Sequence, residues 1–485
     1  MRSDRLLFAA RFAGLLLLLT LISSPSQAQF RYWHWIFPGE GECVGMNPLN
    51  PNTLYAQGND NWLYVSHDAG MSWSQLSSGI GYETREIIVH PSDTLVMFAA
   101  DEDGDGLLRS SDGGVSWTSV IANYVIDGES VSFDPVHPDT MWAGNFSTGT
   151  IYRSIDMGVT WTVRGTSNTD MCTLQVRPDS SQILFAGTGA SSISKSTNGG
   201  ATWVGKKSAD ANGSAETPRI VVDPNNPLIA YATSFNDAST PSAVWKSTNG
   251  GETWNQTSLS SSVIPGLLMW SLEIDTQHPD TLYSGTFDYN AASIYRSTDA
   301  GSTWTSFSNG FYPQNSMWNM KIDPVNPANV YVSVTASSFG NYGIFKLIDA
   351  DAEISGTVRD SVSGSAIAEG YAQIYPSGDY VDLSYTGGTF SFFRPSYDTV
   401  STYTVYIYIN NILAGQTTAN FASGANSSQD IKVVRGSIAG TVFNDLNNNG
   451  LQDAGEPGIP NWPVQLTGQS SANQLTDANG NFKFT

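Results

Sequence analysis

The chain has 485 residues, 44 acidic and 22 basic, with a formal charge of −22 at pH 7. A surface this acidic repels phosphate backbones, so nucleic acid is excluded as the natural partner. Charged residues make up only 14%, aromatic residues 12%, and 46 residues are glycine, which suits strands and turns and excludes a helical or disordered chain.

Arg2, Arg5 and Arg11 precede an apolar run from Phe12 to Ile22, and Ser26, Gln27 and Ala28 supply small residues for cleavage. Residues 1–28 therefore read as a Sec-type secretory signal, and the protein is expected to be secreted or displayed at a cell surface. The apolar run is too short to span a bilayer, and no later stretch approaches the roughly 20 apolar residues of a membrane helix, so no membrane span is expected in this chain. Cys43 and Cys172 are the only cysteines. Export would let them pair, but repeat phasing places them in equivalent inner strands of units 1 and 4, well separated around a ring.

From Ser66 to Trp304 the pattern Ser-x-Asp/Asn-x-Gly-x-Ser/Thr-Trp occurs six times, starting at Ser66, Ser110, Ser154, Ser196, Ser247 and Ser297. The spacings are 44, 44, 42, 51 and 50 residues, a period typical of repeat folds. Each copy follows an apolar strand, a turn usually carrying Pro, and a strand rich in Tyr, Trp, Phe or Val. Those turns begin at Asn47, His90, Asp134, Arg177, Asp223, Asp275 and Asp323, which makes seven units.

Each unit reads as four strands, A to D, bounded by Gly, Asn, Asp and Pro. Seven such units predict an all-β chain whose residues 29–350 form a seven-bladed β-propeller. The seventh unit keeps Ile344 to Leu347 as strand C but loses its box, retaining only Asp349. Trp33 to Gly39 resembles the D segment Trp304 to Gly310, so the mature N-terminus is expected to supply the outer strand of blade seven and close the ring.

The boxes are similar to Asp boxes, also called bacterial neuraminidase repeats, found in sialidases, xyloglucanases, sortilin-like receptors and a photosystem II assembly factor. The resemblance implies that each box forms the turn between strands C and D, away from the catalytic or binding face. Asn198 and Asn249 replace Asp in two copies, which keeps an acceptor for turn amides but removes any acid or base. The boxes, and the basic residues at one repeated strand-C position, therefore belong to the framework.

Function is expected on the opposite face, in the D-to-A and B-to-C loops. Candidate ligand-binding aromatics there are Tyr82, Trp270, Tyr289, Tyr312, Trp318 and Tyr342, alongside Tyr124, Phe146, Phe287 and Phe311. Candidate carboxylates include Asp127, Glu129, Asp170 and Glu216, with Glu83, Glu86, Asp210 and Asp288. A glycosidase would use two of them as acid and base. The sialidase resemblance would also require three clustered arginines, and only Arg85, Arg164 and Arg219 both lie outside the strand-C position and sit in candidate loops. Xyloglucanases of this type resemble two facing propellers, and this chain has one. Recognition of a glycan or an extracellular protein is the expected role, by a protein that acts as a monomer; glycoside hydrolysis on the same face is the alternative.

Asp101, Asp103 and Asp105 alternate as in a calcium loop but lack a Glu at the twelfth position. From about residue 351 the period stops. Residues 351–435 alternate as strands of a small sandwich resembling the carboxypeptidase-regulatory type, a spacer or docking module. Residues 436–485 start another β unit, in which Asp445, Asn447, Asn449, Leu451, Asp453 and Glu456 occupy the ligand positions of an EF-hand loop pattern, with Gly450 at the sharp turn. Its strand and Pro-rich flanks resemble the calcium-binding B-repeats of bacterial surface adhesins, so calcium is expected there. The chain stops at Thr485 inside a strand, as a fragment of a longer surface or secreted protein would.

Overall fold

The computed structural model describes residues 30–39, 42–78, 80–81, 84–101, 106–126, 128–167, 170–189, 192–207, 216–235, 242–264, 266–287, 293–308, 315–336, 343–361, 363–375, 380–395, 402–409, 412–420, 427–428, 431–433, 438–444, 446, 452–466 and 472–484. Among these, seven antiparallel sheets stand as blades around one channel. Their innermost strands are Val44–Met46, Thr84–Val89, Val131–Phe133, Met171–Arg177, Ile220–Val222, Met269–Ile274 and Asn315–Ile322. Blades 1 to 6 each have four strands in sequence order.

Blade 7 is ordered Phe30–Pro38, Gly343–Asp360, Val330–Ala336, Asn315–Ile322, so its outer strand comes from the N-terminus. The register pairs Trp33 with Leu347, His34 with Lys346 and Trp35 with Phe345. Asp349, the remnant of the lost box, instead meets the Arg31 guanidinium at 3.2 Å. Each apolar core cluster of the propeller lies between two neighbouring blades, which is how a sheet stack buries both faces of each unit. Trp33 and Phe345 of blade 7 pack on Tyr283 and Ile294 of blade 6. Phe37, Tyr331 and Ile344 of blade 7 pack on Val44 and Leu54 of blade 1. The ring is closed by side chains as well as by hydrogen bonds.

The boxes have one geometry. In blade 2, Ser110 Oγ donates to Asp112 Oδ1 at 2.8 Å and accepts the Gly114 amide at 2.9 Å, while Asp112 accepts the Ser116 amide at 2.9 Å and its hydroxyl at 2.6 Å. In blade 4 the Asn198 amide donates to Thr202 Oγ1 at 2.8 Å, reversing only that last bond. The box glycines all have positive φ, between 73° and 91°, and abut the preceding blade: a Cβ on Gly158 would lie 2.4 Å from the Phe98 ring. Box backbone amides bond to the A–B turn of the same blade, as in Gly113 N to Leu95 O at 2.9 Å, so turns and boxes share one face. Strand-C cations reach the next box: Arg109 donates to Met157 O at 2.8 Å and Lys246 to Ala300 O at 2.7 Å. Arg164, considered above as a substrate-binding arginine, does the same for Asn198 O at 2.9 Å, and so belongs to the framework.

The strand Gly343–Asp360 runs without a break from blade 7 into the sandwich, pairing with Thr389–Pro395 and, in parallel, with Ile431–Val433. The expected boundary at 351 therefore falls inside one strand. A second sheet contains Tyr371–Tyr375 and Thr402–Ile409, and one helical turn spans Leu383–Thr386. In the last segment Ile438–Thr441 pairs with Asn481–Phe484 and Pro463–Leu466 with Ala472–Leu475. Cys43 and Cys172 are both buried and are not bonded to each other.

Candidate functional site at the channel mouth

Antiparallel strands put the D-to-A and B-to-C loops at the end of each blade opposite the boxes, and there the inner strands open into a pocket. Glu42, Arg85, Glu129, Arg219, Trp270, Ser271, Trp318 and Asn319 line it. Gly128 and Pro218 also line it and are closely packed, since a Cβ on Gly128 would lie 2.6 Å from Pro218 O.

The charges here are mutually paired. Glu129 accepts from Lys321 Nζ at 2.7 Å and Asn319 Nδ2 at 2.5 Å and contacts the Arg219 guanidinium. Arg219 also donates to Glu273 at 2.8 Å, and Arg85 Nε lies 3.0 Å from Glu42. Beneath them Glu86 is buried and accepts the Ser130 amide at 3.2 Å. Burial pushes its carboxyl up to about 7, against the pull of that amide and of the Lys321 and Arg219 charges. Burial, with Arg219 nearby, pushes the Lys321 ammonium down.

One wall is aromatic. Trp270 and Trp318 meet edge to face at 5.2 Å, Phe287 lies 4.8 Å from Trp318 and 5.2 Å from Trp270, and Phe235 lies 5.2 Å from Trp270. The Arg85 guanidinium sits over Trp318 at 4.2 Å, and Trp318 Nε1 donates to Thr335 Oγ1 at 2.6 Å. Two lining atoms, Ser271 Oγ and Asn319 Oδ1, are buried without a hydrogen-bond partner. Buried polar atoms of that kind mark places where a ligand or water completes the bonding.

Of the expected ligand-binding aromatics, Trp270 and Trp318 come together here, while Tyr82, Tyr289, Tyr312 and Tyr342 lie outside the described residues. Tyr124 is fully buried and bonds Ser130 at 2.8 Å, so it is a core residue. Of the candidate carboxylates, Glu129 is tied into the charge network. Glu216 exchanges backbone hydrogen bonds of 2.9 Å with Phe235, and Asp170 is exposed. Asp127 lies outside the described residues, as do Asp103, Asp105 and the side chain of Asp101. So do Asp445, Asn447, Asn449 and Leu451. In the same loop, Glu456 is buried and its carboxylate accepts the amides of Leu446 at 2.9 Å and Asp453 at 3.0 Å.

Sequence reasoning missed Glu273, Lys321, Ser271 and Asn319. A signal was present: the position two before the turn residue holds Ile88 and Val221 in the apolar clusters of blades 2 and 5, and in blades 6 and 7 it holds the charged Glu273 and Lys321 instead.

Comparison with known proteins agrees with this architecture. Residues 61–185 match the family described as sortilin, neurotensin receptor 3, and residues 436–485 match the SdrD B-like domain. A xyloglucanase of Paenibacillus sp is 33% identical over 136 residues, 23% of this chain and 13% of that protein. A xyloglucanase of Hypocrea jecorina is 28% identical over 176 residues, 29% of this chain and 20% of that protein. The chain thus matches a fifth or less of either relative's length. Among solved structures, the GH74 xyloglucanase from Xanthomonas campestris aligns with a TM-score of 0.50 at 18% identity, over 65% of this chain and 53% of its own. The GH74 enzyme of Niastella koreensis aligns at 0.50 and 14% identity, over 81% and 73%. Likeness at such identities speaks to fold alone. The chain is an Asp-box type β-propeller followed by β-sandwich modules, the last similar to the SdrD B-like domain.

Proposed function

We propose that this is an exported recognition protein whose loop face, centred on the channel-mouth pocket, binds an extracellular glycan or protein without turning it over. The observation that carries this is the saturation of the pocket's described carboxylates. Glu42 and Glu129 on its lining, and Glu273 beside it, each face a guanidinium or ammonium of the protein itself, so among the described residues no pair of carboxylates is left facing the pocket to act as acid and base. The aromatic wall and the two unpartnered polar atoms favour an uncharged ligand that presents both hydroxyls and an apolar face, as a neutral sugar ring does. A glycan array probed with residues 29–485 tests this: the expected hits are neutral glycans, weakened at least about tenfold by Trp318→Ala. Binding confined to sialylated or uronic glycans would overturn it.

The alternative is a glycoside hydrolase, favoured by the xyloglucanase matches. Asp170 is exposed on the loop face and could act there with Asp127. Reducing-end release from polysaccharides, abolished by Asp127→Asn or Asp170→Asn, would establish it.

Calcium in the C-terminal loop is a further part of the proposal. Asp445, Asn447, Asn449, Asp453, Glu456 and the Leu451 carbonyl form an all-oxygen donor set suited to a hard cation. The inward-turned Glu456 carboxylate fits a loop that closes on such an ion. Calorimetry on the mature chain should show calcium binding that Glu456→Gln weakens; no heat in the parent chain would remove the site.

A further inference from the structure

The box face is not uniform around the ring. In blades 1 to 3 it carries seven large aliphatic side chains, each more than half exposed: Leu49 and Met71, Leu95 and Val115, then Val136, Ile155 and Val159. Among the described residues, blades 4 to 7 carry two there, Leu228 and Val325. Scattered exposed apolar residues are ordinary, but a one-sided accumulation at repeated positions is not.

The position between the box glycine and the following hydroxyl residue shows the asymmetry most plainly. It holds Met71, Val115 and Val159 in blades 1 to 3, then Ala201, Glu252 and Ser302 in blades 4 to 6. The box acid is Asp68, Asp112 and Asp156 in blades 1 to 3, Asn198 and Asn249 in blades 4 and 5, and Asp299 in blade 6, so the run of three consecutive acids falls on the apolar side. Hydrogen bonds make these boxes neighbours. Ser77 of blade 1 donates to Gly114 O in blade 2, and Arg109 of blade 2 donates to Met157 O in blade 3 at 2.8 Å. The A–B turns are bonded to them within each blade. Apolar side chains and carboxylates are therefore interleaved on one continuous arc.

We propose that this arc is a docking surface for a basic amphipathic segment of another extracellular protein. Charge complementarity selects that occupant: aliphatic side chains on the segment cover the arc while lysines and arginines meet Asp68, Asp112, Asp156 and the exposed Asp139. A second copy of this chain is disfavoured, because self-association through this face would set those carboxylates against each other. An anionic membrane is disfavoured for the same reason. The arc lies at the opposite end of the blades from the channel mouth, so both ligands can be held at once.

The fold supplies its own controls, since blades 4 to 6 carry the substituted residues in intact boxes. Two triple variants of the mature chain are needed: Met71→Ser, Val115→Ser, Val159→Ser, and Asp68→Asn, Asp112→Asn, Asp156→Asn. The probe is a synthetic amphipathic helix of leucine and lysine, with a scrambled peptide and a leucine–glutamate peptide as controls, followed by fluorescence anisotropy at two salt concentrations. The expected result is saturable binding of the leucine–lysine helix alone, weakened at least about tenfold in each triple variant. Hydrogen-exchange protection should fall in residues 47–50, 68–72, 112–116 and 155–160. If the serine variant loses its folded circular dichroism, Met71→Ser alone with the asparagine variant carries the test. No binding, equal binding by parent and variants, protection on the loop face, or equal binding of phosphatidylcholine vesicles would overturn the proposal.

Discussion

Replacing Trp33 by alanine tests whether the N-terminal strand closes the ring. Trp33 is 2% exposed, packs among Tyr283, Ile294, Met317 and Phe345, and donates its indole N–H to Phe307 O at 2.8 Å. Truncating a buried tryptophan costs about 3–5 kcal/mol, and the abandoned carbonyl adds about 1 kcal/mol. A propeller of this size loses about 2 °C of Tm per kcal/mol, so Trp33→Ala lowers the propeller transition by roughly 8–12 °C. Trp33→Phe keeps most of the packing and loses the hydrogen bond, so it should fall between parent and alanine. Val204→Ala, at an exposed position on an outer strand, serves as the control and should move the midpoint little. Differential scanning calorimetry of the mature chain gives the comparison. A shift for Trp33→Ala no larger than that of the control would mean that the strand is not docked between blades 6 and 7.

The box should tolerate its own natural variation and little else. Ser110→Ala leaves the buried Gly114 amide without its acceptor and should cost about 1–3 kcal/mol in urea unfolding, whereas Asp112→Asn should leave the midpoint nearly unchanged at neutral pH. Gly158→Ala meets both a positive φ of 73° and the Phe98 ring, and should be destabilising where alanine at exposed Gly205 is not. Stability should also fall at both ends of the pH range for opposite reasons. The hydroxyls and amides around Asp68, Asp112 and Asp299 hold those carboxyls down at about 2, so their contribution is present above the usual carboxylate range and is lost as pH drops through about 2. Glu86 is raised from 4.5 to about 7, so its contribution is present at pH 4 and is lost as pH rises through 7. Thermal midpoints measured across pH should show both limbs, with the alkaline one flattened in Glu86→Gln.

The framework was legible because it repeats. Six boxes with glycine at one position announce a turn that only positive φ permits, and Trp33 to Gly39 could be matched to Trp304 to Gly310 by the same ruler. The channel mouth was not legible in that way, since each blade contributes a different residue. Arg85, Arg219, Glu273 and Lys321 lie far apart in the chain, and only the convergence of inner strands sets them against Glu129. Glu129 looked like a free acid for that reason, and Arg164 like a free cation, until their partners came into view. Tyr124 misled differently: a loop tyrosine reads as a ligand contact, but the loop folds it inward onto Ser130.

The channel mouth is proposed to recognise a ligand without hydrolysing it. Its most direct test measures binding and reducing-end release in the same sample, using the mature chain with cellohexaose, mannohexaose and xyloglucan oligosaccharides, and with sialyllactose as the acidic counterpart. The expected outcome is saturable binding of a neutral oligosaccharide, loss of that binding in Trp318→Ala, and no released reducing ends at high protein concentration. Release that disappears in Asp127→Asn or Asp170→Asn would contradict it.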